Sequence, residues 1–246
     1  MKILITGASS GIGAELAREY AYGDNELILL ARRADKLYDL RKELYEKCKS
    51  VEVIVADVTE FHKLQEKLKV IDRIDTIVLN AGVSLGHSKA TPTIDEFKKI
   101  YDVNVLANHA ILEVLLPKLE EQGYGKIVFI SSLASLISMP TSKVYSSSKR
   151  ALNAYAEGIR YKYKAKHIKV LTILPGFIKS ELTDKNDFDM PFILDTKVGA
   201  QKIRRAIEAG REFYAFPFRF YALIKLLKFL PNFLREKIID SINKSA

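Results

Sequence analysis

The chain has 246 residues, of which 48% are hydrophobic and 28% charged, and its formal net charge is +9. No linker, low-complexity tract or repeat divides it, so we expect one α/β domain over residues 1–246 with a sizeable core. Cys48 is the only cysteine, which excludes an intrachain disulfide and favours a reducing compartment. Met1 and Lys2 lead directly into an apolar run, so we expect no cleavable signal or N-terminal anchor, and a cytoplasmic protein.

Short apolar runs alternate with helical patterns, which is typical of a parallel sheet covered on both faces. The predicted strands are Lys2–Thr6, Glu26–Ala31, Ser50–Ala56, Thr76–Asn80, Lys126–Ser131, Lys169–Leu174 and Phe213–Phe216. Apolar residues at three- and four-residue spacing predict helices over Gly13–Tyr22, Lys36–Lys47, Phe61–Val70, Ile94–Leu119, Tyr145–Lys166 and Val198–Ala209. This pattern predicts a doubly wound sheet, in which ligands bind beyond the carboxyl ends of the strands.

A glycine-rich octet, T-G-A-S-S-G-I-G from Thr6 to Gly13, lies between the first predicted strand and the first predicted helix. Gly7 allows a sharp turn, Gly11 removes a side chain where a pyrophosphate approaches, and Gly13 lets the helix lie close to the sheet. The helix N-terminus offers free N–H groups to phosphates. A nucleotide is therefore the first hypothesis, although many turns between strand and helix need glycine without binding a ligand.

The second predicted strand is followed by Arg32 and Arg33, where a site that prefers NAD has an acidic residue for the ribose 2′-hydroxyl. Guanidinium groups suit a phosphate through bidentate hydrogen bonds, so this pair favours NADP(H). The alternative is that both arginines open the next helix and face water. Small or polar residues also end the next two strands, and they are expected at the same crevice: Asp57-Val58 and Asn80-Ala81-Gly82.

Tyr145 and Lys149 lie four residues apart at the start of a predicted helix, which places them on one face. A neighbouring ammonium moves the pKa of a phenol downward from about 10, so that the phenol can exchange a proton with a carbonyl or an alcohol. Ser132, at the end of the fifth strand, supplies a hydroxyl that can polarise a substrate oxygen. Tyr-x-x-x-Lys alone is a weak signal, and the surrounding pattern gives it weight.

These motifs, in this order and spacing, resemble the short-chain dehydrogenase/reductase family over nearly the whole chain. The resemblance implies a Rossmann-type fold. The matching residues are Thr6-Gly7-x-x-x-Gly11-x-Gly13, Asp57-Val58, Asn80-Ala81-Gly82, Asn104, Ser132, Tyr145, Lys149, Pro175-Gly176-Phe177-Ile178 and Ser180, the last replacing the threonine of many members.

The resemblance implies that Tyr145 is the acid/base, that Ser132 orients the carbonyl, and that Lys149 binds the nicotinamide ribose and lowers the tyrosine pKa. Asn104 is expected to hold a water in a proton relay to Lys149. The residues expected to bind the cofactor are Thr6, Gly7, Ser9, Ser10, Gly11, Ile12, Gly13, Arg32, Arg33, Asp57, Val58, Asn80, Ala81, Gly82, Tyr145, Lys149, Pro175, Gly176, Ile178 and Ser180. Ser10 stands where many NADP-preferring members have Lys or Arg, so the basic pattern is incomplete.

The C-terminal segment 217–246 is apolar and basic, with Phe216–Leu230 and a second helical piece from Pro231 through Ile242. It is too short to span a bilayer. Three alternatives stay open: an interfacial helix on anionic lipid over residues 217–242, a lid over an apolar substrate pocket, or a helix packed on the core or a dimer interface.

We therefore expect an NADP(H)-dependent oxidoreductase acting on a hydrophobic ketone, aldehyde or secondary alcohol. Substrate determinants are expected after Gly82, after Ser132 and in a lid over residues 177–195, where Met190–Leu194 is apolar. The alternatives are a 3-oxoacyl thioester reductase, or a membrane-associated NADP(H)-binding protein without turnover. The family resemblance implies a homo-oligomer, specifically a dimer formed through the helices Ile94–Leu119 and Tyr145–Lys166.

Two ligand classes are not expected. There is no recognised nucleic-acid motif, and the excess positive charge lies among large aliphatic residues. No metal is expected, because no Cys/His pair has ligand spacing and the histidines are scattered at His62, His87, His109 and His167.

Overall fold

The fold is given by a computed structural model that describes residues 1–86, 90–186 and 188–245. His87, together with Asp187 of the predicted lid and Ala246 of the C-terminal segment, lies outside the described residues. The strands are β1 Lys2–Thr6, β2 Gly23–Ala31, β3 Cys48–Val55, β4 Thr76–Leu79, β5 Tyr124–Ile130, β6 His167–Pro175 and β7 Phe213–Phe216. The helices are α1 Gly11–Tyr20, α2 Ala34–Leu44, α3 Phe61–Lys69, α4 Ile94–Tyr101, α5 Ala107–Gln122, α6 Lys143–Tyr163, α7 Thr196–Glu208, α8 Phe218–Phe229 and α9 Asn232–Ser245.

The seven strands of the described residues form one parallel sheet in the order β3-β2-β1-β4-β5-β6-β7. The chain runs outward from β1 to β3, then crosses back to β4 and runs outward the other way. This order confirms the predicted Rossmann-type doubly wound fold. The reversal opens a crevice between the carboxyl ends of β1 and β4, where ligands of such sheets bind.

The side chains of the central strand β1 alternate between two apolar cores, one on each face of the sheet. Ile3 and Ile5 pack toward α1, α2 and α7, whereas Leu4 packs toward α3, α5 and α6. All three side chains are fully buried. Because successive side chains of a strand point to opposite faces, a run that is apolar at every position needs helices on both sides.

The predicted element types are confirmed for all seven strands, but several ends differ. β2 begins at Gly23 and not Glu26, since Gly23 pairs with Cys48 of β3. The predicted helix Ile94–Leu119 is wrong as a single α-helix. A π-helical turn, Asp102–Leu106, separates α4 from α5. The buried side chain of Asn104 within this turn bonds to residues outside the helix, and such turns are frequent at functional sites.

The C-terminal segment forms α8 and α9, which follow β7 across a cis Phe216–Pro217 peptide bond. Ile224 of α8 is buried in a third apolar cluster with Leu133 and Leu174, and Phe220 packs against that cluster. Within the described ranges, no helix combines the length and apolar character needed to cross a membrane.

Candidate active site

The glycine-rich turn has the backbone that its sequence predicts. Gly7 and Gly11 have φ angles of +67° and +53°, a region that favours glycine. A Cβ on Gly13 would overlap the Gly7 carbonyl oxygen and lie 2.7 Å from Nδ2 of Asn80, so α1 starts pressed against the turn. Ser10, the N-cap of α1, makes no side-chain capping hydrogen bond to the first turn. The first-turn N–H groups are therefore suited to phosphate oxygens.

Thr6 joins the ends of β1 and β4. Its buried Oγ1 accepts hydrogen bonds from the backbone N–H groups of Asn80 and Ala81, both at 2.9 Å, and Nδ2 of Asn80 donates to the Thr6 carbonyl at 2.9 Å. These bonds fix the floor of the crevice. Val58 is buried in one core cluster, and the partly buried side chain of Ile12 packs against the other.

Arg33 turns back from the start of α2 to the glycine-rich turn. Its Nη2 lies 3.0 Å from Oγ of Ser9 and 2.6 Å from Oγ of Ser10, and its Nη1 lies 2.8 Å from a carboxylate oxygen of Glu181. Lys36 reaches the same carboxylate at 2.7 Å. Hydrogen bonds from Lys36, and then from Arg33, lower the pKa of Glu181 to about 2. Oγ of Ser10 also donates to this carboxylate at 3.2 Å, so Glu181 is an anion held by two cations and a hydroxyl.

Glu181 was not predicted as a site residue. It lies 148 positions from Arg33 in the chain, so no local pattern indicates the pairing. The available signal was its position directly after Ser180, in a segment expected to approach the cofactor. Ser180 itself lies over the turn, because a Cβ on Gly11 would be 3.3 Å from Cβ of Ser180.

Arg32 points elsewhere, into a cavity of about 310 Å³ at the ends of β2 and β3. Its Nη1 lies 3.4 Å from Oδ2 of Asp57, and its side chain is 61% exposed. Burial alone would raise the pKa of Asp57, but hydrogen bonds from Thr59 and the nearby Arg32 outweigh it, and the pKa is lowered. Arg32 and Arg33 thus lie at different parts of the same edge of the sheet. Lys63 and Lys67 also line the cavity at Arg32.

Ser132, Tyr145 and Lys149 come together beyond the carboxyl end of β5. Ser132 follows the strand, and its side chain is near enough to the Tyr145 hydroxyl to lower the pKa of that phenol. Tyr145 and Lys149 lie one turn apart in α6. Nζ of Lys149 is 5.9 Å from the centroid of the Tyr145 ring and donates to the Ile130 carbonyl at 2.9 Å. Lys149 is buried and Tyr145 half-buried.

One expectation about this cluster is corrected. Burial raises the pKa of Tyr145, and the hydrogen bond with Ser132 lowers it by less, so the net shift is upward. The predicted lowering by Lys149 does not appear, because Nζ is held at the Ile130 carbonyl and not at the phenol. Burial also lowers the pKa of Lys149, to about 8. Tyr145 is therefore protonated at neutral pH.

Asn104 is fully buried in the π-helical turn. Its Nδ2 donates to the Val83 carbonyl and to Oγ of Ser148, both at 3.0 Å, and its Oδ1 accepts from the Val83 N–H at 2.9 Å. A Cβ on Gly82 would lie 3.4 Å from both Oδ1 of Asn104 and Nζ of Lys149. Gly82 thus allows the amide and the ammonium to approach each other. Ser148 is a partner of Asn104 that the sequence did not indicate.

Segment 177–195, predicted as a lid, returns on itself beside the site. Its ends are joined by hydrogen bonds from the Leu194 N–H to the Phe177 carbonyl and from the Lys179 N–H to the Leu194 carbonyl, both at 3.0 Å. Between them Phe192 has a φ angle of +58°, which is uncommon for a bulky residue. The ring of Phe220 in α8 stacks on Phe177 at 5.7 Å.

Pro175 and Gly176 lie where β6 ends, beneath the start of α8. The Gly176 N–H donates to the Phe216 carbonyl at 2.7 Å. A Cβ on Gly176 would lie 3.2 Å from the Phe220 ring and 3.4 Å from Leu133. Ile178 is buried in the core.

On the other side of Tyr145, a narrow cleft is lined by residues that include Ser84 and Leu85. The described residues include no cluster of His, Cys, Asp or Glu with the geometry of a metal site.

Comparison with known proteins shows to which family the chain belongs. The model of the short chain dehydrogenase family matches residues 1–190. An uncharacterized oxidoreductase of Myxococcus xanthus is 33% identical over 234 residues, covering 93% of this chain and 92% of that protein. A 3-oxoacyl-[acyl-carrier-protein] reductase of Rickettsia conorii is 32% identical over 183 residues and covers 74% of each chain.

Among solved structures, a short-chain dehydrogenase from Sphingobium yanoikuyae in complex with NADPH matches with a TM-score of 0.82. Its sequence identity is 23%, over 94% of this chain and 96% of that one. The chain belongs to the short-chain dehydrogenase/reductase family and is an oxidoreductase of that family. The family binds a nicotinamide cofactor and acts on small molecules.

Proposed function

We propose that the protein reduces the carbonyl group of an apolar ketone or aldehyde with NADPH, or catalyses the reverse oxidation of a secondary alcohol. The observation that carries the proposal is the grouping of Ser132, Tyr145 and Lys149 beyond the carboxyl end of β5, at the same edge of the parallel sheet as the glycine-rich turn. The three side chains have the chemistry for proton transfer to a carbonyl oxygen, and the turn has the chemistry for a dinucleotide phosphate.

NADP(H) is the proposed cofactor because cations dominate the adenosine end of the crevice. Arg32 and Arg33 stand where an acidic residue would select the 2′-hydroxyl of NAD, and Lys36 lies beside Arg33 at the carboxylate of Glu181. The residues proposed to hold the pyrophosphate are Gly11 and the N-terminus of α1. The Sphingobium yanoikuyae protein with a similar fold is in complex with NADPH.

The proposed chemistry divides between cofactor and protein. When bound, the reduced nicotinamide supplies the hydride. Tyr145 gives its phenolic proton to the carbonyl oxygen, and Ser132 donates a hydrogen bond that orients that oxygen. The raised pKa of Tyr145 keeps the phenol protonated at neutral pH, as proton donation to a carbonyl oxygen requires. Lys149, with a pKa of about 8, and Asn104 are proposed to return a proton to the phenol.

An apolar substrate is proposed because aromatic and aliphatic side chains border the reacting groups. Leu133 follows Ser132 directly, and Phe177, Phe192 and Phe220 pack against one another between segment 177–195 and α8. Such a wall favours a substrate with large hydrocarbon groups on its carbonyl carbon. We propose segment 177–195 as the lid that closes on it.

A 3-oxoacyl thioester reductase is a second candidate. The Rickettsia conorii relative carries that activity in its name and covers 74% of this chain. The basic C-terminal region would suit an acidic carrier of the acyl group. Turnover of a 3-oxoacyl thioester at a higher kcat/KM than simple ketones would favour this candidate.

We propose that the protein is cytoplasmic and forms a homodimer. The single cysteine suits a reducing compartment, and α4, α5 and α6 are the proposed dimer helices. Light scattering on the purified protein measures the oligomeric state directly.

The test is a panel of carbonyl compounds supplied with NADPH or NADH, using the wild type, Arg32→Ala and the matched control Arg41→Ala. Arg41 is an exposed arginine of α2 outside the site. We expect turnover with NADPH, a loss of NADPH affinity of roughly tenfold or more in Arg32→Ala, since a charge-assisted hydrogen bond contributes about 1.5–3 kcal/mol, and no loss in the control. Equal use of NADH, unchanged by Arg32→Ala, would contradict the cofactor assignment. Nucleotide binding without turnover of any compound would favour a binding protein.

A further inference from the structure

Helix α8 packs its inner face against the rest of the protein and leaves its outer face exposed to solvent. Phe220, Ile224 and Leu227 are turned toward the protein, where Ile224 is buried with Leu133 and Leu174. The outer residues Phe218, Ala222, Leu226 and Phe229 are spaced four, four and three apart, so they form one stripe along the helix.

This outer stripe is apolar and open to solvent. Phe218, Leu226 and Phe229 are 74%, 64% and 82% exposed. The next helix also exposes large apolar side chains, at Phe233, Leu234, Ile238 and Ile242. An exposed apolar surface of this kind marks an interaction site.

Positive charge accompanies the stripe. Arg219, Lys225 and Lys228 belong to α8, which contains no acidic residue. The C-terminal segment 217–246 contains six Lys and Arg against two Asp and Glu. Because the inner apolar residues of α8 are covered by the protein, the helix presents to solvent an apolar stripe flanked by basic residues, which are the two components of binding at a membrane interface.

We propose that the outer face of α8, together with the exposed apolar side chains of α9, docks on the surface of an anionic lipid bilayer. Charge complementarity selects this occupant over a second copy of the chain. A symmetric interface would place the stripe of one protomer on the same stripe of the other, and so bring two sets of three cations together. Anionic headgroups accept these cations while the acyl region accepts the aromatic and aliphatic side chains.

The helix docks by lying on the bilayer. Its 12 residues are fewer than the roughly 20 that a spanning helix needs. The inner face keeps its contacts with Phe177 and Leu133 during docking, so the wall of the proposed substrate site lies directly beneath the lipid-facing helix.

The test is co-sedimentation of the full chain with phosphatidylcholine vesicles, with and without roughly one third phosphatidylglycerol. The probes are Phe218→Ser/Leu226→Ser/Phe229→Ser and Lys225→Gln/Lys228→Gln. The matched control is Val70→Ser/Ile94→Ser, which removes two apolar side chains, 80% and 77% exposed, from the residue after α3 and the first residue of α4. Circular dichroism and thermal unfolding check that each variant is folded. The measurement needs no turnover, so its result is independent of the proposed enzymatic function.

We expect the wild type to bind anionic vesicles more tightly than neutral ones, and to be released at about 1 M NaCl, where the Debye length is about 3 Å. The double lysine variant should bind roughly 30-fold more weakly, because each basic residue near an anionic surface contributes about a fivefold factor. The triple serine variant should lose binding by roughly tenfold or more, and the control should bind like the wild type.

Three results would overturn the proposal. They are absence of binding to anionic vesicles, binding that the triple serine variant leaves unchanged, and binding that is equal on neutral and anionic vesicles. If light scattering instead shows that the triple serine variant converts a dimer to a monomer while vesicle binding is absent, the outer face belongs to a second copy of the chain.

Discussion

Gly13 is the position where the structure predicts the sharpest effect of one added methyl group. The perturbation is Gly13→Ala, and its control is Gly158→Ala. Both glycines are helical, in α1 and α6, but a Cβ on Gly13 would overlap the Gly7 carbonyl oxygen, whereas a Cβ on Gly158 meets no atom within 4 Å.

The expected change in the free energy of unfolding is the balance of two opposing effects, helix propensity and overpacking. Alanine in place of a helical glycine stabilises by up to about 1 kcal/mol, and Gly158→Ala should gain that amount. Gly13→Ala gains the same term but must move α1 away from Gly7 and from Asn80, whose Nδ2 would be 2.7 Å from the new Cβ. Overpacking of this kind costs about 1–3 kcal/mol or more. Because the helix term is common to both, the two variants should differ by the overpacking cost, about 1–3 kcal/mol or more in the free energy of unfolding.

Urea unfolding followed by circular dichroism measures this difference, and NADPH titration measures its effect on the site. Gly13→Ala should lower both stability and NADPH affinity, because α1 carries the proposed pyrophosphate donors. Equal stabilisation by the two alanines would refute the close packing of α1 on the turn.

Three further predictions concern the site. Burial lowers the pKa of Lys149 from 10.5 to about 8, so the folded state loses this proton at lower pH than the unfolded state. The unfolding free energy of the wild type should therefore rise relative to Lys149→Met, by about 2 kcal/mol between about pH 7 and about pH 9.5, and a pH-independent difference between the two would contradict the buried environment. Glu181→Gln should tighten NADPH binding by roughly two- to fivefold while leaving NADH unchanged, because it frees Arg33 and Lys36 from a carboxylate, and equal changes for both nucleotides would show that Glu181 does not compete with the 2′-phosphate. Thr6→Val should destabilise the fold by about 2 kcal/mol, because two backbone N–H groups lose their acceptor, and an unfolding midpoint like that of the wild type would show that water replaces the hydroxyl.

The elements that sequence predicts well are those with local causes. β1 has both predicted ends, because a continuous apolar run stops at Thr6 and Gly7. β2 starts three residues before the prediction, since Gly23 pairs with Cys48 of β3 across a shift in register, whereas regular pairing of β2 begins at Glu26. The local sequence pattern therefore indicates where a strand lies, whereas pairing with the neighbouring strands determines where it begins and ends.

Tertiary contacts explain what local pattern misses. The apolar spacing continues through Asn104, so nothing in it predicts a π-helical turn, which accompanies the bonds of Asn104 to Val83 and Ser148. Motif spacing does predict that Ser132 and Tyr145 meet, since it reflects strand and helix geometry. The pKa of Tyr145 depends on burial and on where the Lys149 ammonium is held, and neither is present in the motif.

The most direct test of the proposed enzyme is Tyr145→Phe against Tyr161→Phe. Tyr161 is an exposed tyrosine of the same helix, 63% exposed and bonded to Glu157, so its substitution controls for loss of a hydroxyl from α6. With NADPH and a carbonyl substrate from the panel, Tyr145→Phe should lose turnover by roughly a hundredfold or more, the contribution of a positioned general acid, while NADPH binding and stability stay at the wild-type level. Tyr161→Phe should turn over like the wild type. Undiminished turnover in Tyr145→Phe would contradict the assignment of the proton donor and, with it, the proposed mechanism.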